Sequence, residues 1–366
     1  MYWLIGIIFQ FVYLLYSVII SIRFKNIEPY KSKSNASYST HVSVVIAYRN
    51  ESANLPQLID GLKKQTYPTQ HFECILIDDH STDESHSMVQ KAIESNWQNL
   101  SLPDDRLGKK AAINYGILTA KGKLIITTDA DCILNPLWIE SMVQYYEQYK
   151  PAMIVGPVQL LANNTIGYLQ QIEFLALMAI TGATTSSKPL MCNAANLAFE
   201  KEAYMQCEQN LNRTASGDDT FLMLAIKYKL HTNIVFIKNK HAIVKTNACN
   251  NWQTLKQQRI RWAAKTKYYT HRYIYLFGLG ILASNLFMAI AISFCMVSPI
   301  YCSLIILIKL LADGIIVQSC NQFFKQQIKL HHFLMVYAIY PFYSIYIYYR
   351  ARKNKFVWRN RNWINQ

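Results

Sequence analysis

The apolar residues of this chain are gathered at its two ends, and that segregation constrains the fold before any motif is read. Met1 to Ile22 is nearly uncharged and apolar, long enough to cross a bilayer as a helix. A second apolar region begins after Arg272. It runs from Tyr273 to Ser298, with Asn285 its most polar member, breaks at Pro299, and resumes from Ile300 to Ser319. Phe333 to Tyr349 is shorter, aromatic-rich and divided by Pro341. Between about 40 and 265 no apolar run reaches the roughly 18 residues a span requires, so this stretch reads as a globular domain.

The expected organisation is a transmembrane helix at 1–22, a polar linker at 23–41, a globular domain at 42–265, a membrane region at 273–349 and a basic tail at 350–366. No basic n-region precedes Met1–Ile22 and no small-residue cleavage pattern follows it, which favours a retained anchor over a cleaved signal. Arg23, Lys25, Lys31 and Lys33 come next, and the positive-inside rule then holds the globular domain in the cytoplasm. A cell inner-membrane, multi-pass location follows as the expectation. A third full crossing at Phe333–Tyr349 would leave Arg350, Arg352, Lys353, Lys355, Arg359 and Arg361 outside, against that rule. A re-entrant or interfacial segment hinged at Pro341 satisfies it, and a plain crossing stays open.

The formal net charge of +15 invites a nucleic-acid reading. The basic residues cluster beside apolar segments, however, where anionic lipid headgroups are the natural partner. No zinc-finger or RNA-recognition signature accompanies them. The eight cysteines include no C-x-x-C pair and read as reduced packing residues. The histidines show no ligand spacing for zinc.

Within the globular stretch, Val42–Ala47, Glu73–Ile77 and the run ending at Thr128 read as buried strands. Helical patterns lie at Asn54–Gln65 and Lys109–Thr119, with another opening at Pro136. Thr82 or Ser81 is positioned to cap a helix that carries Asp83 and Glu84 in its first turn. Such alternation implies an α/β fold with a mostly parallel sheet, which binds ligands beyond the carboxyl ends of its strands. Three acidic clusters fall there: Glu51, Asp78-Asp79 and Asp129-Ala130-Asp131. Two carboxylates one residue apart after a buried strand can grip a hard divalent cation, Mg²⁺ or Mn²⁺; a solvated turn is the other reading. Together the three clusters suggest a nucleotide held by carboxylates at one end and by a metal at the other. Lys109 or Lys110, after Gly108, is placed to meet phosphate or to lie on a solvated face. No Walker A loop and no G-x-G-x-x-G occurs, which argues against an NTPase or a dehydrogenase.

Further on, Gln258, Arg261 and Trp262 are three and four residues apart and share one helix face. That face offers an amide, a guanidinium and an indole to one ligand, or anchors the chain at a membrane interface. Asp218 and Asp219 open an apolar helix, either as caps or as site acids. The small residues of Cys192–Leu197 suit a close backbone approach, or an ordinary packed loop. Residues 166–180 carry Gln170, Gln171 and Glu173 in an apolar stretch, as a membrane-surface helix or a core helix. Lys309 and Asp313, four apart in an apolar segment, neutralise each other or mark a transport path.

These landmarks resemble family 2 glycosyltransferases. The residues that carry the resemblance are Val44–Glu51, Asp78-Asp79-His80-Ser81-Thr82-Asp83, Gly108-Lys109, Asp129-Ala130-Asp131, Ser216-Gly217-Asp218-Asp219 and Gln258-Arg259-Ile260-Arg261-Trp262. The third acidic cluster looks like the D-x-D motif of the GT-A fold. The last motif looks like Q-x-x-R-W of the membrane-bound synthases of cellulose, chitin, hyaluronan and poly-N-acetylglucosamine. The resemblance covers roughly residues 40–265, about three fifths of the chain.

It implies a GT-A domain, a nucleotide-diphosphate sugar donor (UDP-linked by expectation), a divalent metal and inversion at the anomeric carbon. It would put Glu51 and Asp79 near base and ribose, and Asp129 and Asp131 on the metal, with Lys109 beside the donor. Asp219 would be the general base, and Gln258, Arg261 and Trp262 would meet acceptor or diphosphate. The acceptor is a lipid or a glycan, the latter with polysaccharide-export subunits as partners. A membrane protein that binds nucleotide sugar without catalysis is the reading from another class.

Overall fold

The computed structural model describes residues 2–32, 38–207, 218–269, 271–352, 355–358 and 361–364. In chain order the elements are α1 (Tyr2–Lys25), β1 (Val42–Tyr48), α2 (Leu55–Lys63), β2 (Phe72–Asp78), α3 (Ser85–Ala92), β3 (Trp97–Ser101), α4 (Lys109–Thr119), β4 (Leu124–Thr127), β5 (Cys132–Ile133), α5 (Trp138–Tyr149), β6 (Met153–Val155) and β7 (Val158–Leu161). They continue with α6 (Thr165–Thr185), β8 (Leu197–Glu200), α7 (Lys201–Cys207), α8 (Asp218–Lys229), β9 (Ile234–Phe236), β10 (Val244–Asn247), α9 (Trp252–Ala264), α10 (Arg272–Ser293), α11 (Pro299–Phe324), α12 (Leu330–Ala351), β11 (Lys355–Trp358) and β12 (Arg361–Ile364). The chain divides into two units: Glu28–Gln159 with Thr184–Asn247, and Met1–Ile27 with Leu160–Ala183 and Ala248–Gln366.

The first unit is a mixed α/β domain around a seven-stranded sheet of order β3-β2-β1-β4-β8-β6-β9. The pairs β3/β2, β2/β1 and β1/β4 are parallel. β8 runs antiparallel to both neighbours, and β6/β9 is again parallel. β1, β2 and β4 are buried at every position. That burial explains their continuous rather than alternating apolar runs. β5 pairs antiparallel with β10 in a small separate ladder.

Local sequence decides how closely the layers approach. A Cβ added at Gly116 of α4 would lie 2.5 Å from Ile77 Cδ1 and 2.6 Å from Val45 Cγ1. This glycine therefore lets the helix rest directly on β1 and β2. Two helix starts differ from expectation. α3 begins at Ser85, and its backbone N–H donates to Asp83 Oδ1 at 3.0 Å, so Asp83, not Thr82 or Ser81, satisfies that turn. α5 begins at Trp138, two residues after Pro136, and Asn135 Oδ1 accepts the Leu137 N–H at 2.9 Å. In each case a short acid or amide side chain closes the turn before helical backbone begins.

The second unit is helical. α1, α6, α10 and α11 are each long and apolar enough to cross a membrane; α6 corrects the expectation that no such run lies between 40 and 265, because its apolar residues outweigh the interrupting Gln170, Gln171 and Glu173. α1 extends past Ile22 through Arg23 and Lys25, cations that suit a helix C-terminus. Gln10 of α1 donates to the Ser284 carbonyl at 2.8 Å, and Ser284 Oγ donates back to Gln10 Oε1 at 2.8 Å. Tyr13 donates to Asp313 Oδ1 at 2.6 Å, and Lys309 pairs with Asp313 while lying over the Tyr13 ring. Polar groups on apolar helices thus find one another, which an environment without water demands. α12 differs from the hinged segment expected at 333–349. It runs through Pro341 without a break, losing one backbone bond but keeping the rest of the ladder.

Gly116→Ala is expected to destabilise the α/β unit by about 1–3 kcal/mol, because the new methyl overlaps two packed side chains. The check is a lowered thermal unfolding midpoint of the detergent-purified full chain.

Candidate active site

The parallel strands β1, β2 and β4 end side by side, and each is followed by acid. Tyr48 is the register partner of Asp78, and the Asp79 N–H donates to the Tyr48 carbonyl at 2.9 Å. Glu51 is 6% exposed. Its Oε2 accepts from Asn54 Nδ2 at 2.7 Å, and its backbone N–H donates to Ser85 Oγ at 2.8 Å. Asp79 is 1% exposed, and its Oδ1 accepts the Gly108 N–H at 3.0 Å. Gly108 has φ 96°, a conformation a side chain would strain, and it immediately precedes α4. Asp79 thereby fixes the loop that delivers Lys109. Asp83 feels some upward push from burial, but hydrogen bonds from Ser85 and Ser52 outweigh it and leave the carboxyl at about 2.

At the end of β4, Asp129 pairs with Lys109. Burial pushes the Asp131 carboxyl up to about 6, and the Asp129 charge adds to it. Lys109 and a hydrogen bond from Thr246 of β10 pull the other way. The first two effects win, so the turn holds more negative charge than its surroundings comfortably carry. The oxygen donors of such a pair are of the right hardness for a divalent cation. Among the described residues no group of three or more His, Cys, Asp or Glu could hold a metal by itself. A cation here would take Asp129 and Asp131 as protein ligands and complete its shell with oxygens of a bound phosphate or water.

Asp219, on the first turn of α8, accepts the Thr220 N–H at 2.8 Å through Oδ1 and the Ala194 N–H at 3.2 Å through Oδ2. Ala194 in turn accepts from Thr127 Oγ1 at 3.1 Å through its carbonyl. Hydrogen bonds therefore link Asp219 to the last residue of β4, two before Asp129. Ser216, Gly217 and the Asp218 side chain lie outside the described residues. In the segment 192–197, Asn196 is fully buried and committed to the fold. It donates to the Pro157 and Ala242 carbonyls at 2.8 Å each and accepts from Trp138 Nε1 at 3.0 Å.

Gln258, Arg261 and Trp262 belong to the helical unit, on α9. Arg259, which sequence reading passed over, is tied both to Glu173 and to its motif neighbours. Its guanidinium donates to Glu173 Oε2 through Nε at 2.9 Å and Nη2 at 2.7 Å. Nη1 donates to Gln258 Oε1, and the group lies 4.2 Å from the Trp262 ring centroid. The signal that could have found it was Glu173, a lone acid in an apolar helix that needs a partner.

Residues 43–206 match the sequence model of Glycosyl transferase family 2. Over that stretch, a little under half of the chain, the sequence is similar to this family. The chain is 34% identical over 202 residues to an undecaprenyl-phosphate 4-deoxy-4-formamido-L-arabinose transferase of Pseudomonas savastanoi pv. phaseolicola, covering 54% of this chain and 57% of the relative. It is 38% identical over 110 residues to the transferase of that name from Proteus mirabilis (29% and 34% covered). It is 30% identical over 133 residues to a dodecaprenyl-phosphate galacturonate synthase of Rhizobium johnstonii (36% and 39% covered). The matches thus span from about a third to under three fifths of these relatives' lengths. Among solved structures, a mannosyltransferase from Pyrobaculum calidifontis, in complex with GDP-Man and Mn²⁺, superposes with a TM-score of 0.58 at 16% identity. That likeness covers 97% of this chain and 99% of the other, and it establishes a shared GT-A-like fold.

The α/β unit thus joins Glu51, Asp79, Lys109, Asp129 and Asp131 along one sheet edge, with Asp219 linked through Ala194 to the adjoining strand end. Thr127→Val keeps the shape of that strand end and removes the hydroxyl bonded to Ala194. A loss of about 1 kcal/mol is expected, read as a lowered unfolding midpoint with intact α-helical circular dichroism.

Proposed function

We propose that this protein is an inverting glycosyltransferase that moves a sugar from a nucleotide-diphosphate sugar, UDP-linked by preference, to a membrane-held acceptor. The observation that carries the reading is the Asp129–Asp131 turn with Lys109, at the strand ends of a family 2 domain. Glu51 and Asp79 take the base and ribose. Asp129 and Asp131 hold Mg²⁺ or Mn²⁺, which when bound supplies positive charge to the departing diphosphate. Asp219 accepts the proton of an attacking hydroxyl, or the one that a phosphate monoester of second pKa about 6 retains, a role worth about 10²–10⁴-fold in rate for the hydroxyl. Its two backbone hydrogen bonds keep it oriented for that task. Gln258, Arg261 and Trp262 meet the acceptor or its phosphate through amide, planar fork and indole. The acceptor we favour is a polyprenyl phosphate. The relatives named for undecaprenyl- and dodecaprenyl-phosphate support it, as do four helices apolar enough to cross a membrane. The second reading is polysaccharide synthesis, favoured by Gln258, Arg261 and Trp262 in the Q-x-x-R-W spacing.

Membranes carrying the protein are to be supplied with UDP- and GDP-sugars and Mg²⁺ or Mn²⁺. Nucleotide release is expected, lost on adding EDTA and in Asp131→Asn. Label in an organic extract upholds a lipid acceptor, and label in high-mass aqueous material replaces it with a polymer. Asp219→Asn is expected to abolish turnover while leaving UDP affinity within about threefold; near-normal rates would remove Asp219 as the base. Arg261→Lys is expected to lower kcat/KM by about tenfold, since an ammonium cannot reproduce the guanidinium fork.

A further inference from the structure

We propose that Arg259, clamped by Glu173, is a positioning residue that fixes the direction of the Gln258 amide and the usable face of Trp262. The inference rests on the acceptor role given to those two side chains above. The guanidinium is 5% exposed and uses each of its parts differently. One edge delivers Nε and Nη2 to the same carboxylate oxygen of Glu173. The remaining nitrogen, Nη1, donates to Gln258 Oε1, and the flat face covers the Trp262 ring. A single buried cation therefore touches two of the three motif side chains. Glu173 is itself held from α12, where Tyr340 donates to its Oε1 at 3.4 Å.

Two consequences follow for ligand chemistry. Cys249 Sγ lies 3.7 Å from the same Gln258 Oε1 as a donor. With Arg259 and Cys249 both donating, the oxygen of the amide must face them, and the NH₂ must face away. Gln258 then meets a ligand as a donor, which suits an acceptor hydroxyl or phosphate oxygen. Trp262 has one face occupied by the guanidinium, so a sugar ring can stack on the opposite face alone. The arrangement also accounts for a buried ion pair in an apolar setting. Well-packed apolar residues would join α6 and α9 at least as stably, but they would orient neither an amide nor an indole.

The test uses the purified full chain in nanodiscs, a panel of UDP- and GDP-sugars, and undecaprenyl phosphate as the acceptor probe. Glu173→Gln keeps the size and removes the charge. The expected result is an acceptor KM raised about tenfold with donor KM unchanged. A shift in tryptophan emission should accompany it and vanish in a Trp262→Phe background. Glu173→Asp should restore part of both. Equal losses in donor KM, acceptor KM and unfolding midpoint, without a Trp262-dependent spectral change, would reduce the pair to a structural tie and overturn the proposal. Unchanged kinetics and spectra would overturn it as well. If Glu173→Gln does not fold, Arg259→Lys carries the same readouts, because it keeps the charge beside Glu173 and loses the planar face. If the wild type transfers from no donor to this probe, the proposed lipid reaction fails separately. The Trp262-dependent shift then decides the clamp alone, its presence upholding it and its absence overturning it.

Discussion

The arrangement of the α/β unit depends on the parallel register of β1, β2 and β4. Because these strands run the same way and are hydrogen-bonded neighbours, the residues that follow them must emerge at one edge. Glu51, Asp79 and Asp129 are far apart in the chain and adjacent in the fold for that reason alone. The antiparallel β8 then places Leu197 opposite Thr127, which brings Ala194, and through it Asp219, to the same strand end. One pairing pattern collects the acids; the side chains need only short hydrogen bonds to hold their final positions.

Charge is handled differently in the two units. Along the sheet edge, Asp79 and Asp83 are satisfied by backbone N–H groups and hydroxyls. The Asp129–Asp131 turn is left with Lys109 as the cation that lowers its strain. In the helical unit every buried charge described has an opposite at contact distance: Glu173 with Arg259, Lys309 with Asp313. Away from water that pairing is obligatory, and its value there is directional rather than energetic.

Much of this was legible in the sequence. The apolar runs mark α1, α10 and α11, and Val42–Ala47, Glu73–Ile77 and Lys109–Thr119 predict β1, β2 and α4 to within a residue or matching. The acidic clusters are legible because buried strands announce where they end. What escaped shares one cause, namely that its signal lies in a distant partner. β3, with the sequence Trp-Gln-Asn-Leu-Ser, is too polar to read as a strand without β2 beside it. β8 is short, and only the sheet reveals its antiparallel direction. Asp83 displaces Thr82 and Ser81 at a helix start because local backbone geometry chooses among adjacent polar residues. Arg259 looks like one more cation on a basic helix until Glu173, 86 residues earlier, is placed against it.

The contacts of α1 carry a consequence for how the chain is made. Its Gln10 waits for Ser284 and its Tyr13 for Asp313, partners 274 and 300 residues downstream. At a translation rate of about 5–20 residues per second, the first helix is complete about 15–60 s before the groups that satisfy it exist. During that interval an apolar segment carries polar side chains with no final partner. The first helix therefore completes its bonding only after α10 and α11 are made, and its rotation about its own axis is decided when those helices arrive.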